Sequence, residues 1–173
     1  MKNKINNEQF NDYPIFEKIT KEEIEKFTEK MEINNYSSKE IIIKEGDDGN
    51  SILFLLEGEI SISQALTLQT TKYESLDNRE KELIKLNSSD HTISLGEISL
   101  FNLDKKRTAT VRTITNCKVA RLDFKDLFTI CDSDKDIGYK VMKNISKIIT
   151  EHLIKSNHKV LKLTTAFSLL IDN

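Results

Sequence analysis

Apolar positions change their spacing several times along the chain, and each change predicts an element. Residues 1–13 are polar and Asn-rich and read as a flexible N-terminus. Thr20-Lys-Glu-Glu23 then has the spacing of a capping box, and Ile24, Phe27 and Met31 follow at helical intervals. A helix of about three turns with one apolar stripe is predicted there. From Tyr36 to about Ser63 the pattern shortens to Ile41-Ile42-Ile43, EGDDGN, SILFLL, Glu57-Gly58-Glu59 and Ile60-Ser-Ile62-Ser. Short β-branched or apolar runs separated by Gly, Asp and Asn read as strands of a sandwich or barrel, and the last run alternates like a strand with one buried face. Residues 64–80 read as a solvated excursion that lengthens a hairpin. Leu83–Leu86, Val111–Ile114 and Lys118–Leu122 return to strand, and Asp123 opens a short helix through Cys131. Asp132-Ser-Asp-Lys-Asp136 is a polar break.

The last element is the clearest helix. Ile137, Val141, Met142, Ile145, Ile148, Ile149, Leu153 and Ile154 keep a 3.6-residue period, and no Pro interrupts residues 137–163. A stripe this wide serves two surfaces, one against the strands and one against a second copy, so a homodimer through helix 137–160 is allowed. The tail 161–173 is strongly apolar, with Leu161, Leu163, Ala166, Phe167, Leu169, Leu170 and Ile171. It is expected to fold back on the core; the sharper alternatives are a pocket cap, a dimer seal or a docking segment for a partner.

Composition narrows the function classes. The formal net charge is -2, which gives no general attraction to nucleic acid. No run of 18 apolar residues occurs and the N-terminus lacks a signal-peptide core, so no membrane contact and a cytoplasmic protein are expected. Cys117 and Cys131 have neither metal-ligand spacing nor a disulfide framework and read as buried reduced thiols. The three histidines, His91, His152 and His158, form no His-x-His pair, and neither a hydrolytic triad nor a nucleoside-triphosphate loop is present. A metal-dependent barrel enzyme is therefore disfavoured: no metal, no catalytic residues and no enzyme are expected.

The run Leu95–Val111, LGEISLFNLDKKRTATV, carries the chemistry. Gly96 lets the backbone approach a ligand without a Cβ in the way. Glu97 accepts a hydrogen bond from a hydroxyl, and Arg107 offers a phosphate a fixed fork of N–H donors. Ile98–Phe101 has the length of a short helical turn, whose free N–H groups favour an anion. A carboxylate and a guanidinium ten residues apart around such a turn make a ribose-phosphate cradle.

Gly96-Glu97, the interval to Arg107 and the following Thr108-Ala109-Thr110-Val111 resemble the phosphate-binding cassette of cyclic-nucleotide-binding domains. That family includes the catabolite activators and the regulatory subunits of cyclic-nucleotide-dependent kinases. Lys44-Glu45-Gly46-Asp47 and SILFLLEGE resemble its early strands and glycine turns. The resemblance covers roughly residues 14–160 and implies an α+β fold, a β-barrel or jelly roll (double-stranded β-helix) with N-terminal helices and a long C-terminal helix. It implies a cyclic-nucleotide sensor without cofactors, holding cAMP or cGMP. Arg107 would meet the phosphate and Glu97 the ribose 2′-hydroxyl, while Gly96, Ile98 and Ser99 would contribute backbone N–H groups. The Thr108 hydroxyl would reach the phosphate or the purine edge. Leu83 and Ile84 are candidates for the apolar wall behind the base, and His152 or Ser156 for a contact from the long helix. Where catabolite activators continue into a helix-turn-helix, thirteen residues cannot form one, so the expected readout is an unknown effector protein or a changed dimer. Departures from the family lie around Ser37-Ser38-Lys39, in Ser88-Ser89-Asp90-His91 and at Leu95; they affect loops rather than the Glu97/Arg107 pair. The competing reading is an association module of the same fold with an empty pocket or a different anionic effector.

Overall fold

The computed structural model describes residues 6–65 and 80–171. Among these, eight antiparallel strands form two four-stranded sheets: β1 (Glu32–Tyr36), β2 (Ile41–Ile43), β3 (Ser51–Glu57), β4 (Glu59–Ala65), β5 (Glu80–Asn87), β6 (Ile93–Leu95), β7 (Thr110–Thr113) and β8 (Cys117–Asp123). One sheet has the order β1-β8-β3-β6 and the other β2-β7-β4-β5. Four helices complete the expected α+β jelly roll: α1 (Lys21–Thr28), α2 (Glu97–Phe101), α3 (Phe124–Ser133) and α4 (Lys135–Ile171).

The continuous apolar run of β3 arises because its sheet is covered on both faces. Leu53 and Leu55, with Val119 of β8, point between the sheets and pack with Ile43, Ile60, Ile93 and Val111. Ile52 and Phe54, with Ala120 and Leu122, point the other way into the helical layer. The second sheet needs only one apolar face, hence the alternation of Ile60-Ser-Ile62-Ser, with Ile60 fully buried.

The capping box of α1 is present in both directions. Glu23 N–H donates to Thr20 Oγ1 at 3.3 Å, and Thr20 N–H donates to Glu23 Oε2 at 2.7 Å. The helix is shorter than expected, because Met31 lies beyond its end, buried after an exposed turn at Glu29 and Lys30.

The flexible segment expected over residues 1–13 is corrected from Asn7 onward; residues 1–5 lie outside the described residues. Asn7–Phe10 and Pro14–Phe16 are 3-10 turns. Phe10, Tyr13 and Phe16 surround Phe54, with ring centroids 5.6, 5.2 and 5.7 Å from it. The polar composition of this stretch concealed three aromatic side chains at three-residue spacing, enough to anchor it. Tyr13 also donates its hydroxyl to Leu55 O at 2.7 Å, and burial pushes its pKa up to about 12.

The boundary expected at residue 160 is absent: α4 runs without a break from Lys135 to Ile171. The tail does not fold back. Nothing at residues 160 and 161 would stop a helix, since Gly138 is the last glycine and no proline follows. Only the first part of α4 is packed, through Ile137, Gly138, Val141, Asn144, Ile145 and Ile148. A Cβ at Gly138 would lie 2.6 Å from Cys131 O, so glycine is what lets α4 start directly against α3. The Asn144 amide, buried among apolar side chains, donates to Ile15 O at 3.0 Å and Glu17 O at 2.8 Å. Lys147 pairs with Glu17 at 2.7 Å beside it. The excursion expected over residues 64–80 falls mostly on residues outside those described.

Replacing Asn144 by Leu strands the buried Ile15 carbonyl and the partly buried Glu17 carbonyl and lowers stability by about 1–3 kcal/mol, measured as a shift of the urea midpoint. The Tyr13 phenol titrates higher folded than unfolded, so its contribution is complete below pH 10 and is lost as pH rises to about 12. Thermal melts from pH 9 to 12 should show a fall for the native chain that is smaller in Tyr13→Phe.

Candidate functional site

At the end of β6 the chain reverses at Gly96, where φ is +101° and ψ is 0°. A Cβ there would strike the Arg107 guanidinium and lie 2.7 Å from Ser51 O, so two independent constraints demand glycine. α2 follows at once, burying Glu97, Ser99 and Leu100. The return loop is held by the EGDDGN turn. Arg107 N–H donates to Asp47 O at 2.8 Å, Gly46 N–H to Arg107 O at 2.9 Å, and Gly49 N–H to Lys105 O at 2.7 Å. Lys106 pairs with Asp48 at 2.6 Å across the same clasp, and this hydrogen-bonded cation holds the Asp48 carboxyl below its ordinary range. A Cβ on Gly49 would lie 2.6 Å from Ser99 Cβ and 3.1 Å from Arg107 Cδ.

These contacts press Arg107 inward until it is only 8% exposed. Its Nη2 donates to Ser51 O at 2.9 Å and Ser51 Oγ at 3.1 Å. Its Nη1 is buried with no hydrogen-bond partner, and so is Oε1 of Glu97, itself 3% exposed. Burial lowers the guanidinium pKa, the Arg121 charge lowers it further, and Glu97 opposes both. The group remains charged at any physiological pH. A buried donor and a buried acceptor are thus left open in one site, where each costs about 1–3 kcal/mol until something fills it.

Arg121 escaped the sequence reading. It shares the inward face of β8 with Cys117 and Val119, opposite Leu53. Its Nε donates to Asp123 Oδ1 at 2.9 Å and its Nη2 to Asn50 Oδ1 at 3.2 Å. The available signal was an arginine at an inward position of an otherwise apolar alternation. Ser51 and Gly49, whose roles depend on a partner more than fifty residues away in sequence, left no local signal at all.

The structure brings Gly96, Glu97, Ser99 and Arg107 together. Ser99 is buried, with its hydroxyl 3.4 Å from Lys106 O, whereas the Ile98 side chain is half in solvent. Thr108 is exposed beside the loop, and its carbonyl accepts from Gln64 Nε2 at 2.6 Å. Leu83 and Ile84 are not equivalent. Ile84 pairs with Ile62, which pairs with Val111, and so belongs to the inward face. Leu83 falls at the register irregularity of β5 with no partner on β4, and its side chain is as exposed as that of Ile84. His152 and Ser156 lie on the part of α4 where every residue is exposed, and the structure brings neither against the cassette.

At the far end of the strands an open depression is lined by Tyr36, Glu57, Cys117 and Lys118. Burial pushes the Cys117 thiol up, and Lys118 is already paired with Glu57 at 3.3 Å. Among the described residues no three His, Cys, Asp or Glu side chains are grouped to hold a metal, and no helix is long and apolar enough to cross a membrane.

Comparison with known proteins agrees with this geometry. The family model for the cyclic nucleotide-binding domain matches residues 33–134. The cAMP-activated global transcriptional regulator CRP of Escherichia coli is 25% identical over 124 residues, 72% of this chain and 53% of that protein. The chain thus spans about half the length of the curated relatives it matches. Two solved structures share the fold. The catabolite activator protein of Thermus thermophilus has a TM-score of 0.71 at 16% identity, covering 87% of this chain and 63% of its own. A cyclic nucleotide-binding domain from Methylobacillus flagellatus has a TM-score of 0.72 at 17% identity, covering 90% and 84%. The chain belongs to the cyclic nucleotide-binding domain family.

Gly96 and Gly46 both have positive φ, but a Cβ on Gly46 would meet nothing within 4 Å. Gly46→Ala should therefore cost only the backbone strain, about 1–2 kcal/mol. Gly96→Ala should cost clearly more, because it also displaces Arg107. Chemical denaturation of the two variants side by side checks the difference.

Proposed function

We propose that this chain is a cyclic-nucleotide sensor that binds cAMP or cGMP in the cassette and signals through α4. One observation carries the reading: Arg107 Nη1 and Glu97 Oε1 are buried, open and of opposite hydrogen-bonding sense in a single site. A cyclic nucleotide supplies the complement, a phosphodiester monoanion for the guanidinium and a ribose hydroxyl for the carboxylate. The first N–H groups of α2, at Glu97 and Ile98, add donors to the phosphate side, while that of Ser99 already donates to Gly96 O at 3.1 Å. The face carrying Ile62, Ile84 and Val111 offers the base an apolar wall, and Thr108 stands at the rim for its polar edge. Arg121 adds a second cation on the inward face of β8. The curated relatives are named as cAMP-activated, which favours cAMP over cGMP. None of these residues is asked to make or break a covalent bond, so the role is regulatory.

Signalling requires that the ligand bind one arrangement of the cassette more tightly than another. α2 touches α4, so an inward movement of α2 around the phosphate is felt by the long helix, and through it by a second copy or an effector.

Calorimetric titration with cAMP and with cGMP, beside Arg107→Gln, tests the proposal. Saturable binding is expected with at least one nucleotide, weakened in the variant by about 2–5 kcal/mol, the cost of leaving a buried charge unpaired. No heat with either, from folded protein free of co-purified nucleotide, overturns it.

A further inference from the structure

Beyond Ile148, α4 leaves the body of the protein, and every residue from Thr150 to Ile171 is exposed. The face that α4 turns toward the body does not stay apolar along its length. Residues seven apart lie within about 20° of each other around a helix. At that step the buried Val141 and Ile148 are followed by Lys155 and Lys162, and the buried Ile145 by His152 and Lys159. The stripe that packs at the base of α4 is therefore basic in its distal part, where it no longer continues the core.

An apolar stripe runs beside the basic one. Leu153, Val160 and Phe167 follow one another at seven-residue steps, and Leu163 and Leu170 flank them on the side of the lysines. Together they cover about 100° of the helix surface. They stand well out in solvent: Val160 is 56% exposed, Leu163 66%, Phe167 68% and Leu170 76%. An apolar stripe of this breadth with lysines on the adjoining face is the pattern of a helix lying in the plane of a lipid surface. The apolar side chains reach the acyl boundary, and the lysine stems carry their charges up to the headgroups.

Charge decides what covers this helix. Between Glu151 and Asp172 there is no Asp or Glu, although the chain as a whole has a formal net charge of -2. A second copy of the same segment brings no carboxylate to Lys155, Lys159 and Lys162. A groove in a folded protein takes one stripe of anchors and leaves Ile154 and Leu161, which lie off that stripe, in water. A bilayer with anionic headgroups supplies negative charge to the lysines and a fluid apolar boundary to an uneven apolar surface. Among the described residues no helix is long and apolar enough to cross a membrane, so the helix lies in the surface rather than through it.

We propose that α4 past Thr150 binds the surface of anionic lipid bilayers. Leu153, Val160, Leu163, Phe167 and Leu170 face the acyl chains, and the three lysines meet the headgroups. The inference concerns where the chain sits and does not rest on nucleotide binding.

Sedimentation of the full chain with phosphatidylserine/phosphatidylcholine vesicles, and with phosphatidylcholine alone, tests it. Co-sedimentation is expected with the mixed vesicles, falling as salt is raised, and not with phosphatidylcholine alone. Lys155→Ala/Lys159→Ala/Lys162→Ala should weaken it on the order of 100-fold, roughly fivefold per lysine. Leu163→Asp/Phe167→Asp should abolish it, and both variants should keep the native melt of the barrel. Removing three lysines exposed elsewhere, Lys30→Ala/Lys81→Ala/Lys125→Ala, should leave binding as it is. The chain has no tryptophan, so Phe167→Trp provides a single reporter. Its emission should be that of a solvated indole in buffer and shift to the blue only with the mixed vesicles. Folded protein that stays in solution beside those vesicles overturns the proposal, in favour of a protein groove. Equal losses in the two lysine variants overturn it as well. So does an indole already shielded in buffer, which marks a second copy as the occupant.

Discussion

A guanidinium withdrawn from water with its Nη2 bonded and its Nη1 left open is the constraint around which this structure is arranged. Arg107 is anchored on one side by Ser51 and left open on the other. Burying a charge is costly unless its surroundings are fixed in advance. The surroundings here are fixed by close approach: Gly96 and Gly49 have no room for a Cβ, and the Asp48–Lys106 clasp closes the loop from outside. The site holds its shape against the pull of an unsatisfied charge, which is the preorganisation that a small anionic ligand requires.

The sheet β1-β8-β3-β6 connects that constraint to the rest of the molecule, because both of its faces are packed. Leu53 and Arg121 belong to the inner face, while their strand neighbours Ile52 and Leu122 belong to the helical layer. The aromatic group around Phe54 ties the N-terminal turns to the same outer face, and Asn144 ties those turns to α4. Interiors packed in this way shift between arrangements rather than deform smoothly. The pocket and the long helix therefore share one scaffold, two residues deep.

Much of this was legible in the sequence wherever the signal was local. The capping box at Thr20, the alternation at Ile60, the strand-turn spacing and the Gly96–Arg107 run each depend on residues close together in the chain, and each was read. The partners Ser51 and Gly49 became visible only once β3 stood beside the cassette, a contact between distant segments. Arg121 was hidden because an arginine in a strand ordinarily faces water. The N-terminal segment was misjudged from its composition, although three aromatic residues outweigh several asparagines when a complementary surface exists. The division of α4 at residue 160 was drawn where apolar content rises, but nothing in the backbone chemistry interrupts a helix there.

Gly138 sets the geometry of leverage. The packing that runs from Ile137 to Ile148 sets the direction of α4, and it begins at Gly138, where the helix starts directly against Cys131. From there to Ile171 the helix extends roughly 50 Å at 1.5 Å per residue. A tilt of about five degrees at the base, within the scatter of ordinary helix packing, carries the tip through about 4 Å. The chain is thus built as a displacement amplifier. A change of tilt at the base too small to alter the protein's outline becomes, at the far end of α4, a movement the size of a side chain.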